Sequence, residues 1–246
     1  MPHYRLHRDP RSSHQQIAKL VQSLKLSPIL DVGAAQGMLG HLIQGSGLVI
    51  DAVEANVEWA DAARPYYRNT WASIVEDAPL PNNEYKLVIC ADVLEHTPNP
   101  LGVLKRLREA ATADATFVIS VPNVAHLAVR TMLLFGYFPK MERGILDKTH
   151  LQFFTKDTAR GLLNAAGLEL KQIRATGIPL DEVWKTGEGK LAYRMLQKAQ
   201  HLALDIAPRL FGMQWVMVAG AANQDGCDDI SADRKTLAAD NADGRR

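Results

Sequence analysis

Pro28-Ile-Leu-Asp31-Val-Gly33-Ala-Ala35-Gln-Gly37 decides the fold when it is read with the later run Leu48-Val-Ile-Asp-Ala-Val-Glu54. Ile29, Leu30 and Val32 make a short apolar run of strand length. Gly33 and Gly37 then allow a tight turn. Met38 to Ile43 has helical spacing, and the second apolar run, Leu48 to Val53, ends in an acid at Glu54. Strand, glycine turn, helix, strand and terminal acid form the nucleotide-binding half-unit of a doubly wound sheet. A helix N-terminus offers free N–H groups and a positive partial charge. A carboxylate ending the second strand can accept hydrogen bonds from both hydroxyls of a ribose. A dinucleotide fingerprint would read Gly-x-Gly-x-x-Gly. Here the acid Asp31 precedes the first glycine, which suits a cationic or amine-bearing ligand and would repel a pyrophosphate. The plain alternative is a strand-turn-helix with no ligand. The methyl group of Ala35, where a further glycine could stand, is accommodated if the local φ is negative.

Outward from this unit, Ile17, Leu20, Val21 and Leu24 recur at helical spacing across Ser13 to Leu26, and residues 1–12 are polar and basic. Downstream, Asn56 caps a helix to about Ala63 that Pro65 should stop. Trp71 to Val75 reads as a third strand, Tyr85 to Ala91 as a fourth and Thr116 to Val121 as a fifth. A helix between the last two starts at Pro98-Asn99-Pro100. Val124 to Phe135 is an apolar helix, and 136–149 is a loop. Thr155 caps a helix that Gly167 ends. Leu168 to Arg174 and Met213 to Ala219 are the sixth and seventh strands. The forty residues between them exceed any hairpin loop and include a helical segment, Leu191 to Ile206. From Ala222 the chain is polar and acidic, and we read it as a disordered tail. The expected division is an N-terminal arm and helix over 1–27, one α/β domain over 28–221 with a helical insertion at 178–211, and the tail at 222–246.

Two hundred and forty-six residues can bury one large α/β core. A net charge of +1 gives no global case for nucleic-acid binding. No Asn-Pro-Pro-Tyr or Asp-Pro-Pro-Tyr sequence follows the fourth strand to stack a flipped base. Cys90 sits in an apolar strand and Cys227 in the polar tail, so a disulfide framework is not expected and a reducing, cytoplasmic setting is. No apolar run has signal-peptide or transmembrane character.

Several segments carry a resemblance. Asp31-Val-Gly33-Ala-Ala35-Gln-Gly37 resembles motif I of the class I S-adenosylmethionine (SAM) methyltransferases, with Ala35 in place of the middle glycine. Glu76-Asp77-Ala-Pro-Leu-Pro and Tyr85-Lys-Leu-Val-Ile-Cys-Ala-Asp92-Val-Leu-Glu95-His96 look like the motif after the third strand and motif IV. Ser120-Val-Pro-Asn123, Gly144-Ile-Leu-Asp147-Lys-Thr149-His150-Leu-Gln-Phe153-Phe154-Thr155 and Phe211-Gly-Met-Gln214-Trp-Val-Met-Val-Ala resemble a bacterial branch associated with surface-polysaccharide and glycosyltransferase genes. The resemblance implies a Rossmann-like, doubly wound, seven-stranded and mostly parallel sheet with an antiparallel last strand. It also implies SAM as cofactor. By position, Asp31, Gly33, Ala35 and Gly37 would line the methionine end and Glu54 would hold the ribose. Ser73 and Ile74 would lie beside the adenine, and Ala91 and Asp92 under the sulfonium. Where relatives carry an acid at position 74, this chain has isoleucine, leaving Glu76 or Asp77 to reach the purine.

An oxygen nucleophile must lose its proton during methyl transfer, and histidine is the natural base near neutral pH. His96 and His150 are the candidates at the carboxyl edge of the sheet. His96 could be a base, could hold a divalent metal with Asp92 and Glu95, as in ubiquinone-type O-methyltransferases, or could cap the next helix. We expect no metal. Asp147 could orient His150, or His150 could anchor its loop. The expected activity is methyl transfer to a hydroxyl of a small molecule or saccharide. The alternatives are a quinone-type O-methyltransferase and a non-catalytic SAM-binding accessory module, since Ser-Val-Pro-Asn also resembles methionine-biosynthesis partner proteins. The insertion's apolar residues Leu191, Met195, Leu196, Leu202 and Ile206 point to a lid over the site or a dimer contact. Its basic residues also allow peripheral contact with a membrane.

Overall fold

The computed structural model describes residues 9–180, 184 and 191–222. The proposed tail after Ala222, with Cys227, and residues 181–183 and 185–190 of the insertion lie outside the described residues.

The chain starts with α1 (Ser13–Leu24), β1 (Ile29–Val32), α2 (Met38–Ile43), β2 (Ile50–Glu54), α3 (Val57–Ala63) and β3 (Thr70–Ala72). It continues with β4 (Tyr85–Ala91), α4 (Pro100–Ala110), β5 (Ala111–Pro122), α5 (Leu127–Leu134), α6 (Lys156–Ala165) and β6 (Leu168–Thr176). It closes with α7 (Leu191–Ile206), the short α8 (Pro208–Phe211) and β7 (Gln214–Ala221). The strands form one sheet in the order β3-β2-β1-β4-β5-β7-β6. β3, β2, β1, β4 and β5 run parallel, and β7 is antiparallel to both β5 and β6. The α/β, Rossmann-like class and the antiparallel last strand are as expected.

The apolar runs are continuous because both faces are covered. Alternate residues feed two cores. Leu30, Val88 and Cys90 join one cluster with Leu104 and Leu163, while Ile29, Leu87 and Ile89 join the other with Ile17 and Val21. Helix starts follow the predicted caps. Asn56 accepts from the Trp59 N–H, Asn99 from the Gly102 N–H, and Thr155 forms a capping box with Thr158. Pro65 does not stop the chain's coiling: α3 passes into a 3-10 turn, Arg64–Tyr66, a conformation that a proline early in a helical turn tolerates. The third strand is shorter than expected, so Ser73 and Ile74 fall in the turn beyond it. α5 starts only at Leu127, because His126 accepts the Ala128 N–H as its cap.

At the amino edge of the sheet, the fully buried Asp51 of β2 accepts from Arg68 Nε at 2.9 Å, the Asn69 N–H at 3.0 Å and the Tyr85 hydroxyl at 2.8 Å. This one carboxylate ties β2 to the segment leading into β3 and to the start of β4. At the carboxyl edge, strand order reverses between β1 and β4. Open α/β sheets bind ligands outside such a switch point.

Candidate active site

A cavity of about 870 Å³ opens at that edge. β1 lines it with Asp31, the turn after β1 with Gly33, Ala35 and Gly37, β2 with Glu54, the turn after β3 with Ser73 and Ile74, β4 with Ala91, and the segment after β4 with Asp92 and His96. All nine expected cofactor residues therefore face one space. Glu76 also faces it, whereas Asp77 does not. His150 is not among the lining residues, but its ring packs edge-on against His96 with centroids 4.8 Å apart.

The glycine turn is built for packing as much as for approach. Gly33 and Gly37 both have positive φ, +72° and +85°. A Cβ on Gly33 would lie 2.4 Å from Val93 Cγ2, and one on Gly37 2.8 Å from the Tyr66 ring and 3.0 Å from Ala63 Cα. Ala35 corrects the sequence expectation, for its φ is +48°, in the left-handed region, instead of negative. That conformation costs an alanine roughly 1–2 kcal/mol. It aims the Ala35 N–H at Glu54 Oε2, 2.8 Å away. The Asn56 N–H holds Oε1 at the same distance. Glu54 is thus a buried carboxylate fixed by two backbone donors, with further lone pairs for a ligand.

Asp31 is also buried, and its partner is the Tyr67 hydroxyl at 2.6 Å. Tyr67 Oη in turn accepts the Gly40 N–H of α2 at 3.2 Å. Burial pushes the Asp31 carboxyl up to about 7, with the Tyr67 bond opposing and the Glu54 charge adding to the rise. Sequence reading did not single out Tyr67, nor Trp59 and Tyr66, which add aromatic walls to the cavity.

Asp92 also has a positive φ, +55°. Its two carboxylate oxygens are taken by the Ser120 hydroxyl at 2.7 Å and Gln214 Nε2 at 2.9 Å. This corrects the metal set considered from sequence, because the grouping that forms among the described residues is Glu95, His96 and His150, whose candidate ligand atoms lie within 4.8 Å of one another. The Glu95 carboxyl is buried without a hydrogen-bond partner. Burial, and then the Asp92 charge, raise its pKa well above the ordinary carboxylate value.

A second correction concerns Asp147. It does not orient His150, whose Nδ1 donates instead to the Ile145 carbonyl at 3.0 Å. Asp147 Oδ1 accepts from the Thr149 N–H at 2.8 Å and from the Thr149 hydroxyl at 2.7 Å. Thr149 Oγ1, its proton committed to Asp147, and the Thr149 carbonyl both face His96 Nδ1, at 3.2 and 3.3 Å. Two acceptors there fix the proton on Nδ1 and leave the Nε2 lone pair of His96 free. The loop carrying Thr149 is held in place by the Leu151 and Gln152 N–H groups, which donate to the Glu95 carbonyl at 2.7 and 3.0 Å.

Among the described residues, the insertion does not line this cavity, whose described lining falls between His14 and Thr149. α7 is held on the N-terminal segment by Arg11–Asp205 at 2.9 Å and His201–Asp9 at 3.3 Å, with Leu204 buried. Leu191, Met195, Leu196, Leu202 and Ile206 face outward.

Comparison with known proteins bears on this geometry. A family described as "Methyltransferase domain" matches residues 4–173. The chain belongs to that methyltransferase family. It is a class I SAM-dependent methyltransferase, and SAM is its cofactor. Among curated relatives, this methyltransferase is 24% identical over 167 residues to a ubiquinone biosynthesis O-methyltransferase of Hydrogenovibrio crunogenus, covering 64% of this chain and 68% of that protein. It is 26% identical over 172 residues to the protein of that name from Aeromonas salmonicida, covering 65% and 71%. Among solved structures, a putative methyltransferase of Bacillus halodurans superposes with a TM-score of 0.59 at 17% identity, covering 84% of this methyltransferase and 99% of that chain. A Burkholderia thailandensis 1,6-didemethyltoxoflavin-N1-methyltransferase, solved with bound 1,6-didemethyltoxoflavin and S-adenosylhomocysteine, superposes with a TM-score of 0.56 at 17% identity, covering 87% and 80%. Among the described residues, no helix is long and apolar enough to cross a membrane.

Proposed function

We propose that this methyltransferase moves the methyl group of SAM to a hydroxyl of a small molecule or saccharide, with His96 as the base. The observation that carries the reading is the Asp147–Thr149–His96 chain, which leaves the Nε2 lone pair free on a histidine that lines the same cavity as Asp31 and Glu54. SAM supplies an already activated methyl group on a sulfonium. What remains for the protein is alignment and removal of the acceptor's proton. Glu54 would accept the ribose hydroxyls, Asp31 the methionine amine, and Ser73, Ile74 and Glu76 would border the adenine. Asp92, pinned by Ser120 and Gln214, would lie under the sulfonium with Ala91. His150 would brace the His96 ring. A cytoplasmic setting goes with this reading, since the buried Cys90 stays a free thiol.

A screen of hydroxylated acceptors with methyl-labelled SAM tests the activity. Labelled methyl ether products are the expected result. SAM binding without turnover on any acceptor, together with co-purification of another enzyme, would favour an accessory module instead. A quinone-type phenolic acceptor is the second reading, supported by the names of the curated relatives. Its discriminator is loss of turnover on chelation and recovery with a divalent cation, the Glu95–His96–His150 grouping being the place to look.

Two binding predictions follow from the donor side. Glu54→Ala weakens SAM binding by about 1–3 kcal/mol, the cost of a lost charged partner; unchanged affinity in calorimetry would remove the ribose assignment. SAM affinity also depends on pH through Asp31. Its carboxyl is neutral in the free protein below about 7, whereas a cationic ligand favours the ionised form. Affinity therefore rises by up to roughly tenfold per pH unit up to that value and levels off above it. For the ligand-free fold the sign is opposite. The raised value gives stability that is lost as pH climbs from 3.8 to about 7. Asp31→Asn should bind SAM with a flat pH profile across this window, and a profile like that of the wild type would discard the assignment.

A further inference from the structure

The end of α5 and the loop after it present an apolar run that the fold does not cover. Leu133, Leu134, Phe135, Tyr137, Phe138 and Met141 are all exposed, Leu134 and Phe135 at 81% and 70%. A folded chain rarely leaves so many large apolar side chains together in water without a use for them. The run is continuous with the cavity mouth. Phe138 packs edge-on against Phe153 with ring centroids 5.2 Å apart, Phe153 lies 6.4 Å from His150, and His150 lies 4.8 Å from His96. Its charges are mostly positive. Between Leu127 and Leu146 the charged residues are Arg130, Lys140, Glu142 and Arg143. Glu142 is spent on Lys148 at 2.7 Å. Arg130 donates only to a backbone carbonyl, and Lys140 and Arg143 make no ion pair among the described residues.

We propose that residues 133–143 dock this protein on a lipid bilayer bearing anionic headgroups, with the apolar side chains entering the headgroup layer and Arg130, Lys140 and Arg143 meeting the negative charge. Large apolar side chains edged by unpaired cations are the composition of interfacial segments. A second copy of the chain fits less well, since a two-fold pairing would bring a cationic patch against itself. Docked in this way, the protein would present the His96 side of its cavity to the bilayer surface. The proposal goes beyond the methyl-transfer reading and does not depend on it.

The test is sedimentation of the full chain with vesicles of phosphatidylcholine alone, and with vesicles in which about one third of the lipid is phosphatidylglycerol. The protein should sediment with the anionic vesicles and be released by salt. Leu134→Ser with Phe135→Ser should lower partition by roughly tenfold or more. Lys140→Ala with Arg143→Ala should lower it by roughly fivefold or more. Both double variants should keep wild-type SAM affinity, which separates loss of the surface from loss of the fold. Leu191→Ser with Ile206→Ser, on α7, should partition as the wild type does. Failure of the wild type to sediment with anionic vesicles would overturn the proposal. So would equal sedimentation of the charge variant and the wild type, or a wild-type dimer that the Leu134/Phe135 variant dissolves without any change in vesicle binding.

Discussion

Replacing His96 by alanine lowers kcat by roughly a hundredfold to ten-thousandfold, the range supplied by a positioned general base, while SAM affinity stays at its wild-type value. The split follows from the geometry. His96 lines the cavity through a ring whose Nδ1 is committed to Thr149, so only Nε2 can take an acceptor proton. Thr149→Val removes the hydroxyl that links Asp147 to the ring. It should cost roughly tenfold, because the Thr149 carbonyl still faces Nδ1. Single-turnover assays with labelled SAM measure both. A His96→Ala enzyme within threefold of wild type would show that the proton leaves by another route. His150→Ala, by contrast, removes a packing neighbour and should act through the orientation of His96, with a smaller loss.

The largest effect on stability lies at the opposite edge of the sheet. Asp51→Ala should destabilise the fold by about 3 kcal/mol, because it strands the buried Tyr85 hydroxyl and the Asn69 N–H. The Arg68 part is discounted, for its side chain is 43% exposed and retains Glu84 at 2.6 Å. At roughly 2–4 °C per kcal/mol for a chain of this size, the melting midpoint falls by about 6–12 °C. Denaturant unfolding should show a lower midpoint with an unchanged slope. A loss below about 1 kcal/mol would mean that water or Glu84 replaces the carboxylate. SAM binding to the folded fraction should be unchanged, since this cluster and the cavity occupy opposite ends of β2 and β4.

Much of the donor side could be read from sequence for a local reason. Asp31, Gly33 and Gly37 lie within one turn, and Glu54 ends the next strand, so strand length and periodicity alone bring them to one edge. The acceptor side depends on tertiary approach. Nothing in the spacing of Asp147, Thr149 and His150 tells which of them meets His96, because that is set by the Leu151 and Gln152 N–H groups pairing with the Glu95 carbonyl. Asp51 looked like one polar residue inside an apolar strand until Arg68, Asn69 and Tyr85 converged on it. Ala35 was misjudged because φ is not written in residue type. Its N–H is drawn to Glu54, and that contact outweighs the strain of a left-handed alanine. An apolar stripe such as the insertion's invites a cover for the site or a partner, and only the fold shows that its described helix, α7, is held by Arg11 and Asp9 against the N-terminal segment.

The antiparallel β7 sets a timetable for the molecule. It is made last, yet it lies between β5 and β6, which are made earlier and have no contact with each other in the strand order. During synthesis both strands therefore wait with an open edge until residues 214–221 emerge and slide between them. The sheet cannot close from its amino-terminal half alone. The same final strand carries Gln214, which pins Asp92. A nascent chain thus pins a cavity residue and closes both open edges in a single late event.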